Sequence, residues 1–110
     1  MARGDVLLVT LPISDGHEQS GRRPAAALQA DLAGEPMLMI APITSNLKAL
    51  QFAFTVLIEP TSQNGLTTPS VIMIFQMRAI DKTLIIRKIG QLSVEDMARV
   101  DTKIWQMLKP

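Results

Sequence analysis

The chain has 110 residues, of which 47% are hydrophobic and 19% charged, and its formal net charge is +1. This length suffices for one hydrophobic core, so we expect a single domain over residues 1–110. The near balance of charge excludes the strongly basic surface typical of general nucleic-acid binders. The sequence has no cysteine, which excludes disulfides and thiolate metal sites and suits a reducing cytoplasm.

Four strands are predicted in the first half of the chain. Apolar runs bounded by prolines and polar residues place them at about residues 6–11, 24–30, 37–43 and 52–58. Pro42 indicates that the third is an edge strand or contains a bulge. The run 6–11 is far shorter than the ~20 residues of a membrane span. It also lies between Asp5 and Pro12, unlike the apolar part of a signal peptide, so we expect a cytoplasmic protein that does not bind membranes.

Two further strands and one helix are predicted in the second half. Asn64-Gly65 marks a reverse turn, and strands follow at 71–77 and 83–89. The run 71–77 is apolar without alternation, which predicts burial on both faces. Apolar residues then recur at helical spacing up to Pro110, after Ser93 and Asp96 in the arrangement of a capping box. Six or seven short strands with one helix favour a small barrel or a strongly bent sheet.

Asp101 lies near the centre of the apolar arc of the predicted helix. One interpretation is that tertiary packing turns this position toward solvent. The other is a partly buried carboxylate paired with a basic residue, because an unpaired buried charge is costly.

Several kinds of site are disfavoured by the sequence. One histidine and scattered carboxylates do not provide clustered metal ligands. Neither a G-x-S-x-G elbow nor a glycine-rich phosphate loop before a helix is present. Aromatic residues make up only 4% of the chain, so a sheet that stacks many bases is not expected.

Three polar segments remain beside the apolar strands. They are the loop GHEQSGRRP at 16–24, which holds the one histidine, the triplet Thr44-Ser45-Asn46, and the pair Gln76 and Arg78. Each segment alone is what an ordinary solvated loop or strand end would contain.

Taken together, these segments resemble a known family. The successive blocks RGDVLLVTLP, GHEQSGRRPA, APITSN and FQMRAIDKTLIIRKIGQLS are similar in order and spacing to those of the MazF/PemK toxins, including their Kid-like branch. The resemblance runs from Arg3 to the last helix. It implies a mainly β fold with a C-terminal α-helix, a small SH3-like barrel of the CcdB/PemK/MazF type, assembled as a homodimer. The apolar strands 37–43 and 71–77 also favour a dimer, because they supply more apolar surface than a small monomer easily hides.

The resemblance also implies an activity. Members of this family are endoribonuclease toxins, or mRNA interferases, that cleave single-stranded mRNA at specific sequences without a metal or cofactor. A cognate antitoxin neutralises them and so controls growth inhibition. The implied reaction is attack of a 2′-hydroxyl on the adjacent phosphate, which leaves a 2′,3′-cyclic phosphate and a 5′-hydroxyl.

Site residues follow from the same resemblance. Arg23 matches the catalytic arginine, and because an arginine side chain stays protonated in proteins we expect it to stabilise charge before it moves protons. Thr44 matches the hydroxyl beside the scissile phosphate, with Ser45 assisting. His17 matches a loop histidine suited to acid–base work or base stacking. Residues expected to bind RNA are Glu18, Gln19, Ser45, Gln76 and Arg78.

One departure from the Kid-like pattern is clear. Phe75 and Met73 stand where that branch has a proposed catalytic acid and an arginine. The chain is therefore expected to use Arg23 and Thr44, and the general base stays open. Phe75 itself is interpreted as a core residue, rather than one that stacks on a base or fills the dimer interface.

Two other functions are weighed against the nuclease. One is a non-enzymatic CcdB-like toxin that binds DNA gyrase. The other is a catalytically decayed paralogue that only binds an antitoxin, which the residues at positions 73 and 75 favour. The GHEQ and R-P blocks favour the nuclease, because a pure binding protein has no need of groups directed at a phosphate.

Overall fold

The structure, a computed structural model, describes residues 1–11 and 21–110. In these two ranges it has seven strands and one α-helix. They are β1 Asp5–Thr10, β2 Arg22–Ala27, β3 Met37–Thr44, β4 Thr55–Ile58, β5 Ser70–Met73, β6 Arg78–Asp81, β7 Ile85–Gln91 and α1 Val94–Leu108. Short 3-10 helices occupy Leu47–Gln51, Ile74–Gln76 and Lys82–Leu84. The predicted mainly β architecture with a C-terminal helix is confirmed.

The strands form one antiparallel sheet in the order β4-β5-β3-β2-β1-β7. β3 pairs with β2 along one side and divides its other side between two partners. Its first half, from Met37 to Ile40, pairs with β6, and its end, at Ile43 and Thr44, pairs with β5. β3 is therefore the strand that joins the two parts of the sheet.

Pro42 does not mark an edge strand, and that prediction was wrong, because β3 is central. The backbone groups of Met39 face β2, since its carbonyl accepts from the Leu28 N–H and its N–H donates to the Gln29 side chain. Strand backbone groups alternate in direction, so position 42 faces the opposite side. There it lies between the β6 and β5 pairings, where the missing N–H of proline breaks no ladder hydrogen bond.

Two apolar clusters cover the two faces of the central strands. One lies under α1 and includes Val6, Ala41, Ile43, Ile72, Ile74 and Val100. The other covers the opposite face and includes Leu7, Val9, Ala25, Ala27, Leu38, Ile40 and Ile80. Neighbouring residues of β1, β2 and β3 thus alternate between the clusters, as strand geometry requires.

The amino-terminal cap of α1 is as predicted. The Ser93 hydroxyl accepts the N–H of Asp96 at 3.0 Å, and Glu95 and Asp96 lie in the first turn, where negative charge stabilises a helix. Asp101 combines both interpretations given above. Its carboxylate is exposed to solvent and forms an ion pair with Arg3.

The apolar run 71–77 is not one strand, which corrects the prediction. β5 ends at Met73 and a 3-10 turn follows at Ile74–Gln76. Ile74 and Met77 both pack into the cluster under α1, because residues three apart share a face of a 3-10 helix. That spacing, rather than burial on both faces, accounts for the lack of alternation in the run 71–77. After this turn the chain forms β6, a strand that was not predicted.

Phe75 corrects a second prediction, because it is not a core residue. Its side chain is 36% exposed and packs beside Phe52 at the surface, with the ring centroids 5.3 Å apart. The predicted strand 52–58 is correspondingly shorter, since only Thr55–Ile58 is extended in the sheet.

In the described part of the chain, no helix is long and apolar enough to cross a membrane.

Candidate functional site

An open cavity of about 570 Å³ lies where β2 begins and β3 ends. Three stretches of chain and one residue of β7 build its walls. The lining residues are Arg22, Arg23, Pro24, Ile43, Thr44, Ser45, Gly65, Leu66, Thr67, Thr68, Ser70 and Ile89. Among these lining residues are two arginines and five hydroxyl side chains but no carboxylate.

The β2–β3 register explains why Arg23 and Thr44 share this cavity. Ala25 pairs with Pro42 and Ala26 with Ala41. Arg23 lies two residues before Ala25 on β2, and Thr44 lies two residues after Pro42 on β3, beyond the last paired residues. Residues two apart on a strand point to the same face of the sheet, so both side chains lie on the face that Ala25 and Pro42 share, and both residues line the cavity.

The residues on either side of positions 12–20 are hydrogen-bonded to each other. The Leu11 N–H donates to the Gly21 carbonyl at 2.8 Å, which ties the two ends of the segment together. Gly21 directly precedes Arg22 and Arg23. Three predicted site residues lie outside the described residues, namely His17, Glu18 and Gln19.

The Thr44 hydroxyl is oriented by the turn that follows β3. Its oxygen accepts the N–H of Asn46 at 3.1 Å, and the Asn46 side chain in turn accepts the N–H of Lys48. A hydroxyl that accepts from the backbone keeps its own hydrogen for another acceptor. Thr44 is half-buried, whereas Ser45 beside it is exposed.

The opposite wall is the loop between β4 and β5, which Asn64 holds together. This side chain is buried, accepts the N–H groups of Thr61 and Leu66, and donates to the Glu59 carbonyl at 2.9 Å. Gly65 follows with φ +73° and approaches β7 so closely that a Cβ there would collide with the Ile89 carbonyl. The loop is therefore packed backbone against backbone on β7.

The sequence prediction missed part of this lining. Arg22, Thr67 and Thr68 face the cavity but were not predicted as site residues. The two threonines follow the Asn64-Gly65 turn, which the sequence did indicate. What it did not indicate was that this turn folds back onto β7.

Two predicted RNA-binding residues lie away from the cavity. Gln76 and Arg78 are exposed but are not among its lining residues. Arg78 pairs with Ile40, four residues before Thr44 along β3, which corresponds to about 13 Å of strand. Arg78 is therefore separated from Thr44 by about half the length of β3.

No group of three or more histidine and acidic side chains lies close enough to hold a metal ion within residues 1–11 and 21–110.

Comparison with known proteins gives a consistent result. The family model described as "PemK-like, MazF-like toxin of type II toxin-antitoxin system" matches residues 2–108. A protein of Staphylococcus saprophyticus named Endoribonuclease MazF is 35% identical over 106 residues, which is 94% of this chain and 88% of that protein.

Solved structures of the same kind share the fold. MazF from Deinococcus radiodurans superimposes with a TM-score of 0.76 at 23% identity, covering 100% of this chain and 97% of that one. The Mycobacterium tuberculosis toxin MazF-mt6 superimposes with a TM-score of 0.74 at 21% identity, covering 93% of each chain. A Deinococcus radiodurans complex of MazE with MazF matches at 0.72 and 24% identity, covering 98% of this chain and 95% of that one. The predicted fold class is confirmed.

Proposed function

The chain belongs to the family of PemK-like, MazF-like toxins of type II toxin–antitoxin systems, and we propose that it is an endoribonuclease that cleaves single-stranded mRNA. The observation that carries the proposal is the cavity whose lining brings Arg23 and Thr44 together among hydroxyl groups. The protein of Staphylococcus saprophyticus that is 35% identical bears the name of this activity.

Arg23 and Thr44 suit the charge changes of the reaction. When the 2′-hydroxyl attacks the adjacent phosphate, the phosphorane gains negative charge on its nonbridging oxygens. The planar guanidinium of Arg23 donates two parallel hydrogen bonds to such a group, and the free hydroxyl hydrogen of Thr44 is placed for a third. Ser45, Thr67 and Thr68 supply further donors along the cavity.

Proton transfer is assigned to a residue outside the cavity lining. Among the described lining residues there is no histidine or carboxylate, whereas an imidazole titrates near neutral pH. We therefore assign acid–base work to His17 and RNA binding to Glu18 and Gln19. Gln76 and Arg78 are assigned to bind the RNA further along β3. No cofactor is assigned to the reaction.

The partners proposed are mRNA, a cognate antitoxin and a second copy of this chain, with action in the cytoplasm. The homodimer rests on exposed apolar residues of α1, of which Trp105 is 68% exposed. It does not rest on β3 and β5, whose apolar residues are mostly buried within one chain. A MazE–MazF complex among the similar structures supports an antitoxin partner.

The nuclease is tested with purified protein and end-labelled mRNA in EDTA. We expect discrete cleavage with 2′,3′-cyclic phosphate ends, and a loss of about 100-fold or more in kcat for Arg23→Ala. Arg23→Lys is expected to recover part of that loss, since it keeps the charge without the bidentate geometry. Arg87→Ala is the matched control, because Arg87 is an exposed arginine outside the cavity lining.

Three results would contradict the proposal. Intact RNA with the wild-type protein together with stalled DNA gyrase would assign the CcdB-like function. Intact RNA with unimpaired antitoxin binding would assign the decayed paralogue. Cleavage that survives Arg23→Ala and Thr44→Val combined would show that the reaction occurs elsewhere on the chain.

A further inference from the structure

All three phenylalanines of the chain meet at one corner of the sheet. Phe54 packs against the core cluster under α1, whereas Phe52 is 51% and Phe75 36% exposed. The rings of Phe52 and Phe75 are tilted by 43° with centroids 5.3 Å apart. At this angle neither ring covers the face of the other, so the pair presents aromatic surface to its surroundings.

The backbone between Phe52 and β4 has an unfavourable conformation that fixes the position of this pair. Phe54 has φ +61°, a region that bulky side chains rarely adopt and that persists only where neighbouring contacts enforce it. Its carbonyl accepts the N–H groups of both Ile74 and Phe75, at 3.0 and 3.3 Å. The corner that carries Phe52 is thereby fixed to the turn that carries Phe75.

The surrounding charges favour an anionic ligand with flat, apolar groups. Lys48 lies in the 3-10 helix that ends just before Phe52, and Arg78 follows Phe75 by three residues. Glu59 is the one acidic residue between positions 36 and 78, and it follows β4 at the end remote from the pair. The exposed amide of Gln76, next to Phe75, can hydrogen-bond a base edge in both directions.

The pair lies within reach of an RNA bound in the cavity. Arg78 is opposite Ile40, and β3 runs from there to Thr44 over about 13 Å. Small barrels bind single strands of about 4 to 16 nucleotides, so one strand readily covers this distance. A stretched RNA with its scissile phosphate at Arg23 and Thr44 thus reaches Phe75.

We propose that Phe52 and Phe75 form a stacking platform for one RNA base a few nucleotides from the scissile phosphate, and that the platform determines substrate preference at that position. This inference rests on the proposed nuclease for its substrate. Stacking on aromatic side chains tolerates any base but favours the larger ring systems, so we expect a purine preference there. The platform makes Phe75 a residue that contacts the substrate. The Kid-like branch has a proposed catalytic acid at the same position.

The experiment tests whether the Phe75 side chain and one RNA base depend on each other for their contribution to binding affinity. Wild-type protein and Phe75→Leu are titrated with a fluorescent oligoribonucleotide that is made uncleavable by a 2′-deoxy sugar at the cleavage site. A series of such oligonucleotides carries an abasic ribonucleotide at each successive position. For wild type we expect one position, away from the cleavage site, at which base removal weakens binding by at least about fivefold. Phe75→Leu should bind the intact RNA more weakly than wild type does, by a similar factor. Removal of the base at that position should not weaken its binding further.

Matched variants separate a ring effect from a folding effect. Phe75→Trp and Phe52→Tyr keep an aromatic ring and are expected to keep the coupling, whereas Phe52→Leu should reduce it. Leu32→Ala removes an exposed apolar side chain from the loop between β2 and β3 and should leave RNA binding unchanged. Melting temperatures and sedimentation confirm that each variant keeps the wild-type fold and assembly.

The outcomes separate this proposal from the nuclease itself. Cleavage by wild type without coupling at any position overturns the platform and leaves the nuclease intact. Coupling in binding without any cleavage supports the platform and overturns the nuclease. If Phe75→Leu weakens self-association or antitoxin binding but not RNA binding, the pair is a protein-docking surface and the proposal is wrong.

Discussion

Thr44 shows how a single hydrogen bond can fix the role of a side chain. Its oxygen accepts the Asn46 N–H, so the hydroxyl hydrogen is available to another acceptor. A serine at this position can form the same turn and offer the same hydrogen, whereas a valine keeps the shape of threonine and can do neither.

This arrangement predicts the behaviour of two variants of Thr44. Thr44→Ser should keep kcat within a few-fold of wild type. Thr44→Val should lose about 100-fold in kcat, a typical effect of removing one preorganised donor to a transition-state oxygen. Single-turnover cleavage of a defined oligoribonucleotide measures both. Equal losses in the two variants would mean that packing around the methyl group, and not hydrogen donation, explains the effect.

The candidate site was partly predictable from individual residues. Arg23, Thr44 and Ser45 were predicted and share the cavity. The sequence could not show that Arg23 and Thr44 line the same cavity, because that depends on the register of β2 and β3 across a loop of nine residues. Nor could it place Phe75, whose exposure depends on the unusual backbone of Phe54.

At the scale of elements, the loop after β4 forms a wall of the cavity and depends on one buried amide. Asn64 satisfies two backbone N–H groups and one carbonyl. The backbone of the loop also contacts β7, where the Gln91 N–H donates to the Gln63 carbonyl at 2.8 Å. Loss of the amide would leave those groups unpaired away from water, which is costly.

We therefore expect Asn64→Ala to lower the free energy of unfolding by about 3 kcal/mol. Asn46→Ala is the matched control, because Asn46 is exposed and accepts only the N–H of Lys48 with its side chain. That change should cost about 1 kcal/mol or less. Urea denaturation followed by circular dichroism measures both. Similar costs for the two asparagines would show that the loop does not depend on burial of Asn64.

The errors in predicting elements have local causes. The run 71–77 was read as a single strand because a 3-10 turn that buries residues three apart also produces apolar residues without alternation. The strand predicted at 83–89 begins at Ile85 instead. Asp81 accepts the N–H of Thr83 at 2.8 Å and starts a 3-10 turn first. The D-x-T spacing was the available signal for that turn.

At the scale of the whole molecule, one carboxylate connects three segments that are distant in sequence. Asp31, between β2 and β3, forms ion pairs with the terminal ammonium of Met1 and with Lys82. Lys82 also donates to the Leu32 carbonyl at 2.9 Å. The start of the chain, the loop before β3 and the turn after β6 are thereby held together.

This network predicts a specific loss of stability in acid. The hydrogen bond from Lys82 holds the pKa of Asp31 below its usual value of 3.8, and the terminal ammonium adds to the effect. A carboxyl with a lowered pKa in the folded state stabilises that state above its unfolded pKa. The contribution disappears as the pH falls below 3.8 through the lower pKa of the folded protein. Asp81, whose pKa is lowered by the Thr83 backbone N–H, adds a further acid-sensitive contribution in the same range.

Asp31→Asn should therefore be less stable than wild type at pH 7 and should approach it as the pH falls to 3, in urea denaturation at fixed ionic strength. Because the groups are at the surface, added salt should reduce the difference at pH 7 as well. Glu35→Gln, in the same loop, is expected to leave the pH dependence unchanged. A difference between Asp31→Asn and wild type that is equally large at pH 3 and pH 7 would mean that the aspartate acts through packing or neutral hydrogen bonds. The ion pairs with Met1 and Lys82 would then contribute nothing to holding the three segments together.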